Sequence, residues 1–113
     1  MKVDAHQHFW NIDRLSYPIL NRNRKQTYRN IEPPELEPLL QETGIDRTVV
    51  VQAMNACEET DYMLELADAC DWIAGVVGWV PLEKPDEAGR QLERFTQHGK
   101  FKGVRHLFMA EPD

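Results

Sequence analysis

The feature that most constrains this chain is a regular exchange of short β-branched runs with amphipathic helical segments. Strand-like runs cover Val3 to Phe9, Thr48 to Ala53, Ile73 to Val80 and Phe101 to Phe108. No Asn-Gly or Asp-Gly hairpin signal follows any of them, so an antiparallel meander is not expected. Helical periodicity fills the intervals. Leu36, Leu39 and Leu40 mark a helix over Glu35 to Thr43 that Gly44 caps, with Pro38 tolerated in its first turn. A second helix over Thr60 to Asp71 places Tyr62, Met63, Leu66 and Cys70 on one stripe, with Glu59 and Asp61 mostly elsewhere. A third runs from about Asp86 to His98, with Ala88, Leu92 and Phe95 on one face. Strand-helix alternation of this kind implies parallel strands joined by helical crossovers.

The 113 residues hold four such strands, whereas eight β/α units need about 220–250 residues. The expected fold is therefore α/β: the first half, about four β/α units, of a (β/α)8 barrel. Residues 1–113 would form one domain, truncated after strand four. An open flavodoxin-like sheet is the alternative architecture. One segment breaks the economy: Trp10 through Pro34, rich in Asn, Arg and Pro. Its length suits a lid or binding loop as well as a mobile surface excursion.

Charge and composition narrow the function classes. Thirteen Lys and Arg against nineteen Asp and Glu leave a net charge of −6, which argues against a nucleic-acid-binding surface. No apolar run reaches the ~18–20 residues of a membrane span. A secretory leader is not expected from Met1-Lys2-Val3-Asp4, and the two cysteines form no disulfide framework. A cytoplasmic protein with free thiols is the expectation. Neither GxGxxG nor GxxxxGK[ST] occurs, so a nucleotide cofactor has no support.

The first strand carries the chemistry. Asp4, His6 and His8 alternate with Val3, Ala5, Gln7 and Phe9, and strand periodicity sends the two imidazoles out on one face, about 7 Å apart at Cα. Neutral imidazoles so placed can converge on one ion, although a catalytic zinc usually takes three protein ligands. Asp4 is either an orienting partner for a histidine or a carboxylate satisfied near the strand start. The competing explanation is coincidence, because an isolated His-x-His is common.

Asp4-Ala5-His6-Gln7-His8-Phe9-Trp10 resembles the opening strand of the amidohydrolase superfamily, in its amidohydrolase-related, sugar-lactonase-like branch. Val49-Val50-Val51-Gln52-Ala53, Gly75-Val76-Val77-Gly78-Trp79-Val80 and Lys102-Gly103-Val104-Arg105-His106 continue the resemblance in order. It implies a (β/α)8 hydrolase that opens a lactone or related cyclic ester by attack of an activated water on the carbonyl. His6 and His8 would then be catalytic and, where a divalent metal (Zn or Mn) is used, its ligands; some members of the branch work without one. Further histidines and the aspartate that serves as ligand or base lie, in the family, beyond strand four.

Arg105 is favoured by that resemblance as the cation holding a substrate carboxylate or hydroxyl, and its planar fork suits the task. Phe101, Gly103, Arg105 and Leu107 share one face of a regular strand, so only one of Arg105 and His106 can point inward. A structural ion pair is the plain alternative for Arg105. His106 is a weaker candidate for hydrogen bonding near the mouth. Gln52 would either touch substrate or tie down the loop after strand one, and Trp79 would form a pocket wall or belong to the core. Cys57 reads as an inert thiol, and Glu111 and Asp113 as a solvated tail. The expected partner is a small lactone or sugar acid, with no nucleic acid or membrane. A second functional reading is a catalytically inactive half-barrel that survives by self-association as a homo-oligomer.

Overall fold

A computed structural model describes residues 1–107; Phe108, Glu111 and Asp113 lie outside them. The elements follow the order β1 (Val3–Gln7), α1 (Pro33–Thr43), β2 (Arg47–Val51), α2 (Cys57–Ala69), β3 (Ile73–Gly78), α3 (Pro85–Phe95) and β4 (Phe101–Val104). All three strand pairings are parallel, and the sheet order is β1-β2-β3-β4. Each strand lies beside the next in sequence, with no reversal of order. A doubly wound flavodoxin-like sheet would need such a switch point, so that alternative is excluded.

One core lies between the helices and one sheet face. Val50 of β2 and Ile73 and Val76 of β3 meet Met63 and Ala67 of α2, and Ala88 and Phe95 of α3 close the cluster. The α2 stripe expected from sequence is therefore core, with Tyr62 and Met63 almost fully buried. Gly78 permits the tight approach of α2 to β3. A Cβ at that position would lie 2.7 Å from Thr60 Oγ1, and that hydroxyl is fixed by bonds to both the N–H and the carbonyl of Trp79.

Several local expectations are corrected. Helix α1 begins at Pro33, so Pro38 sits in the second turn rather than the first, and the Pro34 carbonyl lacks its regular helical donor. Gly44 does cap α1, at φ 74°, with its N–H donating to Leu40. Helix α2 starts three residues earlier than its periodicity indicates, and it has no side-chain cap at Ala56. Strand β1 stops at Gln7, so His8 lies just past its end. The apolar Val3 and Ala5 are exposed, Val3 by 48%. Among the described residues no helix covers that outer face of β1.

The long excursion after β1 is closed at its neck. Trp10 and Ile31 exchange both backbone hydrogen bonds, at 3.0 and 2.9 Å. Glu32, next to the neck, accepts from Tyr62 of α2 at 2.7 Å, and within the excursion Arg14 grips Glu65 of α2 with two bonds. The exposed Arg14–Glu65 pair contributes little stability; the buried Tyr62 contact fixes the position. Among the described residues, no helix is long and apolar enough to cross a membrane.

Candidate functional site

The carboxyl ends of parallel strands are where a β/α architecture gathers its chemistry, and the segments that leave β1, β2, β3 and β4 carry the candidate residues there. His6 and His8 converge: their Nε2 atoms lie 3.1 Å apart and the rings stand edge to face. The alternation that suggested this face is not fully regular. Between Asp4 and Gln7, β1 advances three residues while β2 advances two. Asp4 Oδ1 takes the backbone N–H of His6 at 3.0 Å within that irregular stretch. Asp4 thus orients the main chain at His6 rather than a ring.

The tautomer of His8 follows from its neighbours. Its Nδ1 lies 2.8 Å from the Val51 carbonyl, which can only accept, so Nδ1 carries the proton and Nε2 keeps its lone pair. Between two neutral rings, His6 Nε2–H then donates to His8 Nε2. Burial pushes the His8 pKa down, opposed by the Val51 bond and assisted by His6 and Arg105. The neutral, ligand-competent ring is thereby favoured.

The donor set suits part of a zinc site. Two nitrogens bound tetrahedrally at ~2.0–2.1 Å sit about 3.3 Å apart, close to the separation of this pair. Among the described residues no cluster of three or more His, Cys, Asp or Glu could hold a metal ion. The pair is two donors of the three that a catalytic zinc requires.

Arg105 meets the same end of the sheet from the other side. Its Nε donates to Gln52 Oε1 at 2.6 Å, and an Nη2 N–H donates to the Gln52 carbonyl. Regular alternation along β4 does not hold. Lys102 is an extra residue where the β3–β4 register slips, so Phe101 packs on Phe95 and Val104 also joins the core. Phe101 and Arg105 therefore do not share a face. Since β4 ends at Val104, the restriction to one inward side chain lapses as well: His106 Nδ1 accepts from the Trp79 indole at 2.9 Å. Gln52 is fully buried and its amide donates to the Met54 carbonyl and to Asn55. It ties down the loop after β2 and, at the same time, anchors Arg105.

Two residues of this region escaped the sequence reading. Glu59, placed by periodicity on the polar side of α2, has no exposed surface. Its carboxylate accepts the N–H groups of Ala53, at 2.9 and 3.2 Å, and of Met54, at 3.1 Å. Asn55 exchanges two bonds with the backbone of Leu107, both at 2.9 Å. A glutamate in the first turn of a helix with no side-chain cap is the signal that could have exposed Glu59. Burial raises the Cys57 pKa, which disfavours the thiolate.

Burial raises the Glu59 pKa to about 7, against the lowering effect of the Ala53 and Met54 bonds and of Arg105. Between the ordinary value of 4.5 and about 7 the folded protein keeps this proton and the unfolded chain loses it. The contribution of Glu59 to stability is thus fully present below pH 4.5 and is lost as pH rises through about 7. Urea midpoints measured across that window in the wild type and in Glu59→Gln should differ in slope, with the downward trend absent from the variant.

Comparison with known proteins agrees with this arrangement. The amidohydrolase family model matches residues 3–113. The chain belongs to the amidohydrolase family. It is 38% identical over 112 residues to an L-fucono-1,5-lactonase of Burkholderia ambifaria, covering 99% of this chain and 38% of that protein. An L-fucono-1,5-lactonase of Burkholderia multivorans is 36% identical over 115 residues, covering 100% and 38%. Crystal structures of a Burkholderia multivorans amidohydrolase superpose with TM-scores of 0.82, with bound zinc, and 0.89, with bound HEPES. Each is 32% identical and is matched over all of this chain but 39% of its own. This amidohydrolase chain therefore spans about two-fifths of the length of the relatives it matches, and its four strands and three helices correspond to the N-terminal half of their barrel.

Proposed function

We propose that this chain supplies the first half of the active site of a lactone hydrolase, with a sugar lactone such as L-fucono-1,5-lactone as substrate. The observation that carries the reading is the 3.1 Å approach of the His6 and His8 Nε2 atoms, with His8 locked by Val51. Both nitrogens would hold a divalent cation, zinc by analogy with the crystallised relative. Such an ion, when bound, supplies Lewis acidity toward a carbonyl oxygen and eases deprotonation of water.

The chain's own residues account for the rest of this half. Of five guanidinium N–H groups, Arg105 commits two to Gln52, and among the described residues the other three remain for a carboxylate or hydroxyl of the substrate. The Trp79 indole, held by His106, forms a flat wall at the same strand ends. The third metal donor and the base that activates water come from further β/α units.

The test is hydrolysis of L-fucono-1,5-lactone together with zinc content. Arg105→Lys removes the fork but keeps the charge, and should raise KM about tenfold or more while kcat changes less. Unchanged KM would remove Arg105 from the substrate site.

A second reading is an inactive half-barrel that self-associates. It is favoured by the bare outer face at Val3 and Ala5 and by the free outer edges of β1 and β4 among the described residues. Light scattering on the 113-residue chain separates the two: a dimer supports closure by a second copy, and a well-behaved monomer ends that reading.

A further inference from the structure

We propose that Glu59 is the positioning residue for Arg105, acting through the turn that follows β2. The assignment rests on Arg105 as the substrate anchor and explains what holds that anchor still. Three contacts run in series. The Glu59 carboxylate takes the backbone N–H groups of Ala53 and Met54. The Met54 carbonyl takes the Gln52 amide at 2.9 Å, which orients the Gln52 side chain so that Oε1 faces Arg105 at 2.6 Å. The main chain gives a second path, because the Gln52 carbonyl that accepts from Arg105 Nη2 belongs to the peptide ending in the Ala53 N–H.

The start of this series is enclosed, while Met54 and Arg105 are half-buried. Gln52 and Glu59 have no exposed surface, and neither does Ala53. Water therefore cannot substitute for a lost acceptor at little cost, and a displaced turn would carry its hydrogen-bond partners with it. The location also suits the role. Glu59 projects from the first turn of α2, a rigid element packed on β3, whereas Arg105 follows the last strand residue of β4. The buried carboxylate thus transfers the rigidity of a helix to a guanidinium on a loop. A guanidinium fixed at two of its N–H groups loses less freedom when it grips a ligand with the others. Glu59 itself touches no reacting atom; both its oxygens are occupied by backbone donors.

The experiment follows the Arg105 Nε–H signal by 15N NMR in the expressed chain, assigned by its loss in Arg105→Lys. In Glu59→Ala that signal should shift, and its exchange with solvent should quicken by about tenfold. Glu59→Gln keeps one oxygen within reach of both backbone donors and should restore the signal. Glu59→Asp retains the carboxyl group but withdraws it by one methylene, and serves where Glu59→Ala does not fold; it should exchange like the alanine variant. An Arg105 signal unmoved in a folded Glu59→Ala or Glu59→Asp protein overturns the proposal.

Kinetics on L-fucono-1,5-lactone in the complete enzyme separate this inference from the reading beneath it. Glu59→Ala should raise KM by about five- to tenfold with kcat little changed, in parallel with Arg105→Lys. If the NMR signal moves while Arg105→Lys leaves KM untouched, the Glu59–Arg105 connection stands and the substrate role of Arg105 falls. A KM increase in Glu59→Ala with a native Arg105 signal sinks the connection itself.

Discussion

On the function proposed above, replacing His6 or His8 with alanine in a lactonase that contains this chain is expected to remove bound zinc and reduce lactone hydrolysis by about a hundredfold or more. Second-sphere changes around metal ligands already cost ~10–100-fold in affinity or activity, and loss of a ligand exceeds that. The two substitutions should not be equivalent in their structural effects. His8 is half-buried and bonded to the Val51 carbonyl at 2.8 Å, so His8→Ala also frees a carbonyl between β1 and β2. His6 is exposed and leaves no such vacancy. Metal analysis after dialysis and steady-state hydrolysis provide the check. Activity preserved in both variants would remove the pair from the reaction.

The second large effect concerns stability. Phe95→Ala should destabilise the fold by about 3–5 kcal/mol, the usual cost of deleting a buried phenyl ring. Phe95 is 1% exposed at the end of α3, and its ring lies 5.5 Å from that of Phe101 on β4. The register slip at Lys102 puts Phe101 on the helical side of the sheet, and this contact packs it there. Its loss should therefore loosen β4 and, with it, the chain leading to Arg105. Urea denaturation measures the first consequence, and the Arg105 Nε–H signal reports the second. A change below about 1 kcal/mol would show that α3 is not a principal support of β4.

The architecture was legible because its signals are local. β-branched runs such as Thr48-Val49-Val50-Val51 and the stripe of Tyr62, Met63, Leu66 and Cys70 each declare their own element. Alternation of the two then implies parallel pairing. The histidine pair was readable for the same reason, two residues on one short strand. What escaped depends on partners distant in sequence. The extra residue in β1 and Lys102 in β4 exist only relative to the adjoining strands, and no period within a single strand reveals them. Glu59 was misplaced because helical periodicity separates polar from apolar faces. It cannot report a carboxylate turned back to satisfy the preceding turn. Gln52 holds its own loop after β2 and Arg105 rather than the loop after strand one, because its amide partners lie two and three residues further along the chain.

The bond pair between Asn55 and Leu107 reaches further than its two distances suggest. The amide side chain reads only the peptide group at position 107. Any residue that keeps its backbone N–H is therefore compatible there, and proline is not. Position 55 has no such latitude, since it needs a donor and an acceptor at one reach. Divergence among related sequences should accordingly be lopsided, with one end of this joint drifting freely while the other stays asparagine.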